Sequence, residues 1–135
     1  MSMVQCPCGS EQTFIQCCSP YIQGIKRPKT PEALMRSRYS AYVLAKMKYI
    51  ASTMRGEPKV NFRANEVQAW AKSVKWLHLD VIRTFEKQGE GVVEFKAYYK
   101  EKGQSQCLSE ISRFHWQNNR WFYVGQYQDW SEVAQ

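Results

Sequence analysis

The sequence predicts one compact α+β domain, in which a small cysteine-rich knuckle is followed by helices and then by a curved antiparallel sheet. The chain has 135 residues, 44% hydrophobic and 14% aromatic, which suffices for one core but not for two full domains. Four of its five cysteines fall between positions 6 and 18. The apolar pattern of the remainder changes from a helical period to a period of two near Trp76.

The first two predicted elements are the knuckle and the helix that follows it. Gly and Pro bound residues 6–24, a stretch too irregular for a long helix or strand. Thr30, Pro31 and Glu32 are typical of a helix start, because a threonine N-cap, an early proline and a first-turn acid each suit a helix N-terminus. We predict this helix over residues 31–45. Its inward stripe consists of Leu34, Arg38, Ala41, Tyr42 and Ala45.

Two more helices are predicted before the sheet. One covers residues 46–54 and ends before Gly56 and Pro58, which interrupt the helical pattern. The other begins with Asn65 as its N-cap. The face that this last helix turns inward consists of Val67, Trp70, Ala71 and Val74.

From Trp76 onward, alternating apolar and polar residues predict four strands joined by hairpin turns at 88–91, 101–103 and 117–119. The residues that share a face are Leu77, Leu79, Val81, Arg83 and Phe85 on the first strand and Leu108, Glu110, Ser112, Phe114 and Trp116 on the third. Helices that cover one face of such a curled sheet enclose a pocket. We expect a knuckle over residues 1–25 and an α+β domain over residues 26–135, whose last ten residues form a loose extension docked by Trp130.

The cysteines give the strongest chemical signal. Cys6 and Cys8 are followed, after eight residues, by the adjacent Cys17 and Cys18. Four thiolates saturate a tetrahedral zinc site with no open position, which is the structural arrangement rather than the catalytic one. A redox-active thiol cluster and unligated packing cysteines are the alternatives. The isolated Cys107, inside a predicted strand, is interpreted as a small buried hydrophobe.

The net charge of +7 is placed unevenly along the chain. Residues 21–60 contain nine basic and two acidic side chains, whereas the residues on either side are close to neutral. No stretch has the roughly 20 consecutive apolar residues that cross a bilayer, and the N-terminus lacks the pattern of a secretory signal. We therefore expect a cytoplasmic protein with no membrane partner, in a compartment where clustered thiols stay reduced.

Several segments resemble a known family. CPCGS followed by CC resembles the SEC-C motif, and LMRSRYSAY at residues 34–42 is similar to the hallmark of the YchJ-like bacterial family, as are VEF at 93–95, LSEISRF at 108–114 and WFYVG at 121–125. The resemblance implies a zinc knuckle joined to a nuclear transport factor 2-like (cystatin-like) cone. Members of the family often have a histidine soon after the CC pair, where this chain has Tyr21, Ile22 and Gln23, so ligation would rest on the four cysteines alone.

Polar residues interrupt the predicted apolar faces. Glu110 and Ser112 share a face with Leu108 and Phe114, and burial of a lone carboxylate costs several kcal/mol unless it is paired. Arg38, on the inward stripe of the first helix, is its expected partner. One interpretation is a core network that fixes helix against sheet, and another is the polar floor of a ligand pocket. The candidate residues of this network or pocket are Arg36, Arg38, Tyr42, Glu94, Glu110 and Ser112.

Three functions remain open from the sequence. The first is a non-enzymatic, zinc-stabilised module that binds a partner or a small ligand; the SEC-C resemblance implies acidic partners in protein export, such as a secretion chaperone. The second is an enzyme acting on a small hydrophobic molecule, as an isomerase or hydratase does, with Glu110 as base and Arg38 as charge stabiliser. The third is nucleic-acid binding by the basic segment, where Tyr21, Tyr39 and Tyr49 lie among the cations.

No catalytic motif favours the second function. The two histidines, His78 and His115, fall on strand faces opposite the core-facing residues, and we expect them to be exposed. The chain has no nucleotide-binding loop, dinucleotide fingerprint or H-E-x-x-H helix.

Overall fold

The computed structural model describes residues 4–133. Five helices precede the sheet in this part of the chain. They are α1 (Ser19–Ile22), α2 (Pro31–Val43), α3 (Met47–Ser52), α4 (Glu57–Val60) and α5 (Ala64–Ser73). The strands are β1 (Lys75–Lys87), β2 (Glu90–Glu101), β3 (Gln104–Gln117) and β4 (Arg120–Tyr127), and a 3₁₀ turn follows at Trp130–Glu132. The helices pack on one face of the sheet, which confirms the predicted fold class.

The sheet is an antiparallel meander in the order β1-β2-β3-β4. Two-residue turns join the strands at 88–89, 102–103 and 118–119, and every residue in them has a positive φ of 52 to 81°. Positive φ at both central residues defines the type I′ turn, whose twist matches that of the strands it joins. The three predicted hairpins are confirmed, and each turn places Gly or Asn at its second position because these residues tolerate that conformation.

The end of α2 and the start of α5 differ from the predicted positions, and neither is fixed by a side-chain cap. Helix α2 starts as predicted, with the Thr30 hydroxyl accepting from the Ala33 amide at 3.0 Å. It ends at Val43 rather than 45, because Ala45 adopts a φ of 57° and the Lys46 amide turns back to the Ala41 carbonyl at 2.7 Å. The predicted Asn65 cap is wrong, since α5 begins at Ala64 with no side-chain cap.

Two bulges confine the predicted inward face of β1 to the middle of the strand. The register with β2 slips between Trp76 and His78 and again between Val81 and Arg83. Each bulge inserts one extra residue, so the alternation restarts on the other face. Leu79 and Val81 point toward the helices as predicted, and Trp76 joins them in the core. Leu77 and Phe85 are more than 40% exposed, and Arg83 pairs with Glu94 on the outer face.

The knuckle and the helices share one core with the inner face of the sheet. Cys6, Cys8 and Cys18 are buried in the same cluster as Leu34 and Phe114. This explains why α2 is buried on more than its predicted stripe, with Ser37 and Ser40 fully enclosed. The prediction of a boundary at residue 25 stays a prediction. Two smaller expectations, the burial of Cys107 and the length of the C-terminal extension, are wrong.

Cys107 is exposed rather than buried, because the alternation that turns Leu108 toward the helices turns Cys107 outward. The predicted loose extension from 126 is also shorter than expected. Strand β4 runs to Tyr127, and Trp130 docks with its ring 3.6 Å from the Arg83 guanidinium carbon. Residues 134–135 of that extension lie outside the described residues.

In residues 4–133, none of the helices combines the length and apolar character that a bilayer crossing requires.

Gly91 on β2 is where the sheet comes closest to the start of α2. A β-carbon there would overlap the Pro31 ring and come within 3.3 Å of Trp121. Because Pro31 is a rigid ring next to the helix start, the backbone rather than a flexible side chain must move. We expect Gly91→Ala to lower the free energy of unfolding by about 1–3 kcal/mol in urea denaturation. Pro31→Ala removes the ring carbon that the new β-carbon would overlap, so it should recover part of the loss when it is combined with Gly91→Ala, and purely additive losses would contradict the steric explanation.

Candidate metal centre and cone pocket

The four clustered cysteines meet at one point. The sulfurs of Cys6, Cys8, Cys17 and Cys18 all lie within 4.8 Å of one another, and every one is a free thiol. The Cys8 and Cys17 sulfurs are 3.6 Å apart, and those of Cys17 and Cys18 are 3.9 Å apart. In a tetrahedral zinc site with Zn–S bonds of about 2.3 Å, the sulfurs are roughly 3.8 Å apart. The spacing therefore suits a four-coordinate metal ion after sulfur shifts of about 1 Å or less.

Tight turns in the backbone bring the two cysteine pairs together. The Gly9 amide donates to the Cys6 carbonyl at 3.2 Å, and the positive φ of 82° at Gly9 closes that turn. The chain then doubles back, so that the Cys6 amide donates to the Gln12 carbonyl at 2.8 Å. A further turn places Cys17 and Cys18 directly before α1. The adjacent cysteines can both face inward because the chain bends between them.

Burial and mutual contact shift the pKa values of Cys6, Cys17 and Cys18 in different directions. Hydrogen bonds from Cys18 and Cys8 lower the pKa of Cys6, and the same contact with Cys6 raises the pKa of Cys18. Burial raises the pKa of Cys17 to about 11. One negative charge thus suppresses ionisation of the neighbouring sulfurs. A divalent cation among them would remove this conflict and stabilise all four as thiolates, with release of protons.

The sulfurs are supported by side chains outside the cysteine pairs. Ser10 Oγ lies 3.1 Å from the Cys17 sulfur, and Ser40 Oγ on α2 lies 3.5 Å from the Cys6 sulfur. Arg36 donates from Nη1 to the Cys8 carbonyl at 2.6 Å and from Nε to Glu32 at 2.9 Å. Such contacts orient metal ligands, and here they also attach the knuckle to α2.

The second feature is a cavity of about 290 Å³ between the helices and the inner face of the sheet. We call it the cone pocket. It is lined mainly by aromatic and aliphatic side chains, and the predicted pocket residues Arg38, Tyr42, Glu110 and Ser112 lie on its wall. Its other lining residues are Met35, Tyr39, Met54, Pro58, Trp70, Trp76, Phe95, Ala97, Leu108, Phe114 and Tyr123. The cone is therefore open inside.

The polar wall of the cone pocket is organised by Tyr123. Its hydroxyl donates to Glu110 Oε2 at 3.0 Å, and Ser112 Oγ donates to the same oxygen at 2.6 Å. The Arg38 guanidinium carbon lies 4.7 Å from the centre of the Tyr123 ring. Burial and the Glu110 charge raise the pKa of Tyr123, so its hydroxyl stays a donor. Among the described residues, Arg38 and Glu110 do not form the predicted direct ion pair, because the Tyr123 ring intervenes.

Arg38 instead connects α2 to the end of α3 by hydrogen bonds. Its Nη1 donates to the Ile50 carbonyl at 2.9 Å and to Thr53 Oγ1 at 2.7 Å, and the side chain is almost wholly buried. A charged donor from α2 thus binds the C-terminal end of α3, at the Ile50 carbonyl and at the Thr53 hydroxyl.

Two predicted members of the network lie elsewhere. Arg36 contacts the knuckle rather than the pocket, because it is on the opposite side of α2 from Arg38. Glu94 faces away from the helices and binds Arg83 at 2.7 Å. His78 stacks on Tyr98 at 4.3 Å on that outer face, and neither it nor His115 lines the cone pocket.

The sequence prediction missed the aromatic end of the cone pocket and its central tyrosine. Trp70 and Trp76 meet edge to face at 5.4 Å, and Tyr99 lies 5.4 Å from Trp70. The period-two pattern places Trp76 at the start of the first strand but does not show which face of the sheet it occupies. The bulge between Trp76 and His78 interrupts the alternation there. Tyr123 falls in the fourth predicted strand, after the turn at 117–119, but its hydroxyl reaches Glu110 only because β4 lies beside β3.

Buried tyrosines on the helices predict sensitivity to alkali. Burial raises the pKa of Tyr39 and of Tyr49 to about 12. Since their phenols ionise near pH 10 in the unfolded chain, their contribution to stability is complete below pH 10 and is lost as pH rises toward 12. The loss should be on the order of 2 kcal/mol per tyrosine. In urea unfolding at pH 9 to 12, Tyr39→Phe should flatten this decline, and an unchanged slope would contradict it.

Comparisons with known proteins agree with this geometry. The family model described as "YchJ, middle NTF2-like domain" matches residues 30–126. A UPF0225 protein of Vibrio parahaemolyticus is 42% identical over 123 residues, which covers 88% of this chain and 72% of that protein.

Two solved structures share the whole architecture. The solution structure of a SEC-C motif containing protein from Rhodopseudomonas palustris has a TM-score of 0.85 and 36% identity, covering 93% of this chain and all of that one. The crystal structure of a SEC-C motif containing protein from Psychrobacter arcticus has a TM-score of 0.81 and 29% identity, over 94% and 85% of the two chains. With its cysteine knuckle and its nuclear transport factor 2-like cone, the chain belongs to the YchJ-like family of UPF0225 proteins.

Proposed function

We propose that this protein is a zinc-stabilised binding module whose cone pocket holds a small, mainly apolar molecule with one hydrogen-bonding head group. The observation that carries the proposal is the open cavity of about 290 Å³, lined by aromatic side chains and by the Arg38–Tyr123–Glu110 wall. A cone built only for stability would fill this space with side chains, because protein interiors are close-packed.

Zinc is the metal that best suits the knuckle. Four sulfur donors with tetrahedral spacing favour zinc over the harder divalent cations, and a closed tetrathiolate leaves no position for a substrate. The metal therefore has a structural role in this proposal. The free thiols that zinc requires are maintained in a reducing compartment, which supports the expectation of a cytoplasmic protein.

The chemistry of the pocket wall selects the head group. Arg38 can only donate hydrogen bonds, whereas Glu110 accepts two through Oε2 and keeps Oε1 for another donor. A neutral group with an acceptor and a donor side by side, such as a primary amide, satisfies both. A carboxylate would face the negative charge of Glu110, and a purely apolar ligand would offer no donor to Glu110 Oε1 and no acceptor to the remaining N–H groups of Arg38.

The test is an NMR titration of full-length, metal-loaded protein with benzamide, benzoate and toluene. We expect benzamide to bind at least fivefold more tightly than either of the others and to shift the indole N–H signals of Trp70 and Trp76. Glu110→Gln should reduce the preference for benzamide, and Ala97→Met, which fills the pocket, should abolish binding of all three. Arg83→Gln, on the outer face, is the matched control. Binding that survives Ala97→Met in a folded variant would refute the pocket as the site.

The position of Glu110 supports a second candidate, an enzyme that abstracts a proton from a bound carbonyl compound. Its carboxylate lines the cavity and has no direct ion pair among the described residues. Such a base would exchange the α-protons of cyclohexanone in D₂O, and Glu110→Gln would stop the exchange. Exchange no faster than in buffer would remove this candidate and leave the binding module intact.

A further inference from the structure

A second concavity, larger than the cone pocket, lies where the chain leaves the knuckle. Its volume is about 870 Å³, and it is lined by the segments after α1, by the connection between α2 and α3, and by the start of β4. Five basic side chains stand on its wall, and we call it the basic groove. They are Lys26, Arg27, Lys46, Lys48 and Arg120.

In the part of the chain that the structure describes, the lining of the basic groove carries positive charge alone. None of the residues that line the basic groove is Asp or Glu. Within residues 4–133, the ion pairs involve other basic residues, namely Arg36, Arg83 and the two histidines. Four of the nine basic residues between positions 21 and 60 therefore share one concave surface with Arg120, and none of the described residues that line this surface is a carboxylate.

Arg120, at one side of the basic groove, lies close to other cations. Arg120 and Arg55 both lie over the Phe122 ring, with guanidinium carbons 4.9 and 4.1 Å from its centre. Burial, and then the charges of Arg27 and Arg55, lower the pKa of Arg120. Like charges that repel one another in the folded state cost stability, and an anion bound between them would recover it.

Aromatic side chains lie on the same wall as the cations. Phe14 and Tyr21 line the basic groove from the knuckle side, and both are only partly buried. Cations that follow a phosphate backbone, with aromatic rings on which bases stack, are the features by which proteins bind single-stranded nucleic acid. An acidic peptide would use the cations alone and leave the rings without a role.

We propose that the basic groove binds single-stranded nucleic acid, with its lysines and arginines on the phosphates and Tyr21 stacked on a base. This site is separate from the cone pocket, and it does not depend on the ligand proposed there. The metal knuckle contributes by fixing Phe14 and Tyr21 against the core, which sets one wall of the groove.

The test is the anisotropy of a fluorescein-labelled 12-nucleotide oligo(U) with full-length, metal-loaded protein. If the five cations each contact a phosphate, the affinity should fall about a hundredfold between 50 and 200 mM salt. Lys46→Gln with Lys48→Gln should weaken binding at least tenfold at 50 mM salt and make the salt dependence shallower. The matched control is Lys96→Gln with Lys100→Gln, which removes the same charge from exposed positions on the outer face of β2 and should change affinity less than threefold.

Tyr21→Leu separates stacking from charge. It keeps an apolar side chain against the core but removes the ring, so affinity should fall at least fivefold with an unchanged salt dependence. Equal losses in the groove and control pairs would overturn the proposal, since any positive surface would then suffice. Competition by a 12-residue polyglutamate as strong as that by unlabelled oligo(U) would also overturn it in favour of an acidic protein partner, as would no binding at 50 mM salt.

Discussion

Protein purified from zinc-supplemented culture is expected to contain about one zinc ion per chain, and Cys17→Ser should remove it. Cys17 contributes one of four sulfurs that lie within 4.8 Å of one another, so its loss leaves an incomplete tetrahedron. At free zinc a thousand times the Kd, the metal should add about 4 kcal/mol to the free energy of unfolding. Elemental analysis and urea unfolding, with and without a chelator, measure both effects.

Cys107→Ser is the matched control, because Cys107 is exposed on the sheet and lies outside the cluster. It should retain both the zinc and the stability of the parent protein. Less than a tenth of an equivalent of zinc in the parent, or equal zinc in the two serine variants, would contradict the metal site.

Hydrogen exchange should show where zinc acts. Chelation should expose residues 4–25 and also the Ser37–Ser40 side of α2, because the knuckle packs on that side of the helix. The hairpins from β2 to β4 should stay protected, since their hydrogen bonds lie within the sheet. Loss of protection over the whole chain would mean that the metal supports the entire fold rather than the knuckle and its contact with α2.

Arg38→Met is expected to lower the free energy of unfolding by about 3 kcal/mol, a large effect for a single substitution. The change removes two hydrogen bonds from a charged donor to Ile50 and Thr53, each worth about 1.5–3 kcal/mol, while the methionine keeps part of the packing. It also leaves Glu110 in the pocket wall without its nearby cation. Urea unfolding of the variant measures the loss.

A double-mutant cycle with Glu110→Gln shows whether Arg38 and Glu110 are coupled. We expect a coupling energy of about 1 kcal/mol, transmitted by Tyr123, which contacts both residues. Arg83→Met, at the half-exposed pair with Glu94, should cost about 1 kcal/mol or less. Additive effects of the first two changes would show that Arg38 supports only α3.

Local patterns predicted those elements whose conformation is set within a few residues. The start of α2 follows from Thr30 and Pro31, and the hairpin turns follow from residues that tolerate a positive φ. The end of α2 was misplaced because Ala45, which has no special preference for a positive φ, takes that conformation under the hydrogen bond from Lys46 to Ala41. That bond belongs to the connection into α3, so the helical pattern does not show it.

For the candidate sites, too, the sequence predicted what depends on local spacing and missed what depends on distant contacts. The cysteine spacing alone indicated a four-sulfur cluster, and the structure brings those sulfurs together. Of the predicted polar network, Arg38, Tyr42, Glu110 and Ser112 line the cone pocket, whereas Arg36 contacts the knuckle and the predicted ion pair of Arg38 with Glu110 is not formed. Glu94 and Glu110 lie on opposite faces of the sheet. The register that pairs Glu110 with Phe95, rather than with Glu94, shows that Glu110 is the carboxylate facing the helices.

By itself, the sequence determined the order of knuckle, helices and meander, the four metal-ligating candidates and the concentration of positive charge in residues 21–60. The tertiary structure decided which side chains meet. Bulges at Leu77 and Ile82 reset the faces of β1, Tyr123 separated Arg38 from Glu110, and folding gathered Arg120 with a distant basic segment into one groove. These outcomes depend on strand register and on contacts between residues far apart in the chain, which local propensity and periodicity do not encode.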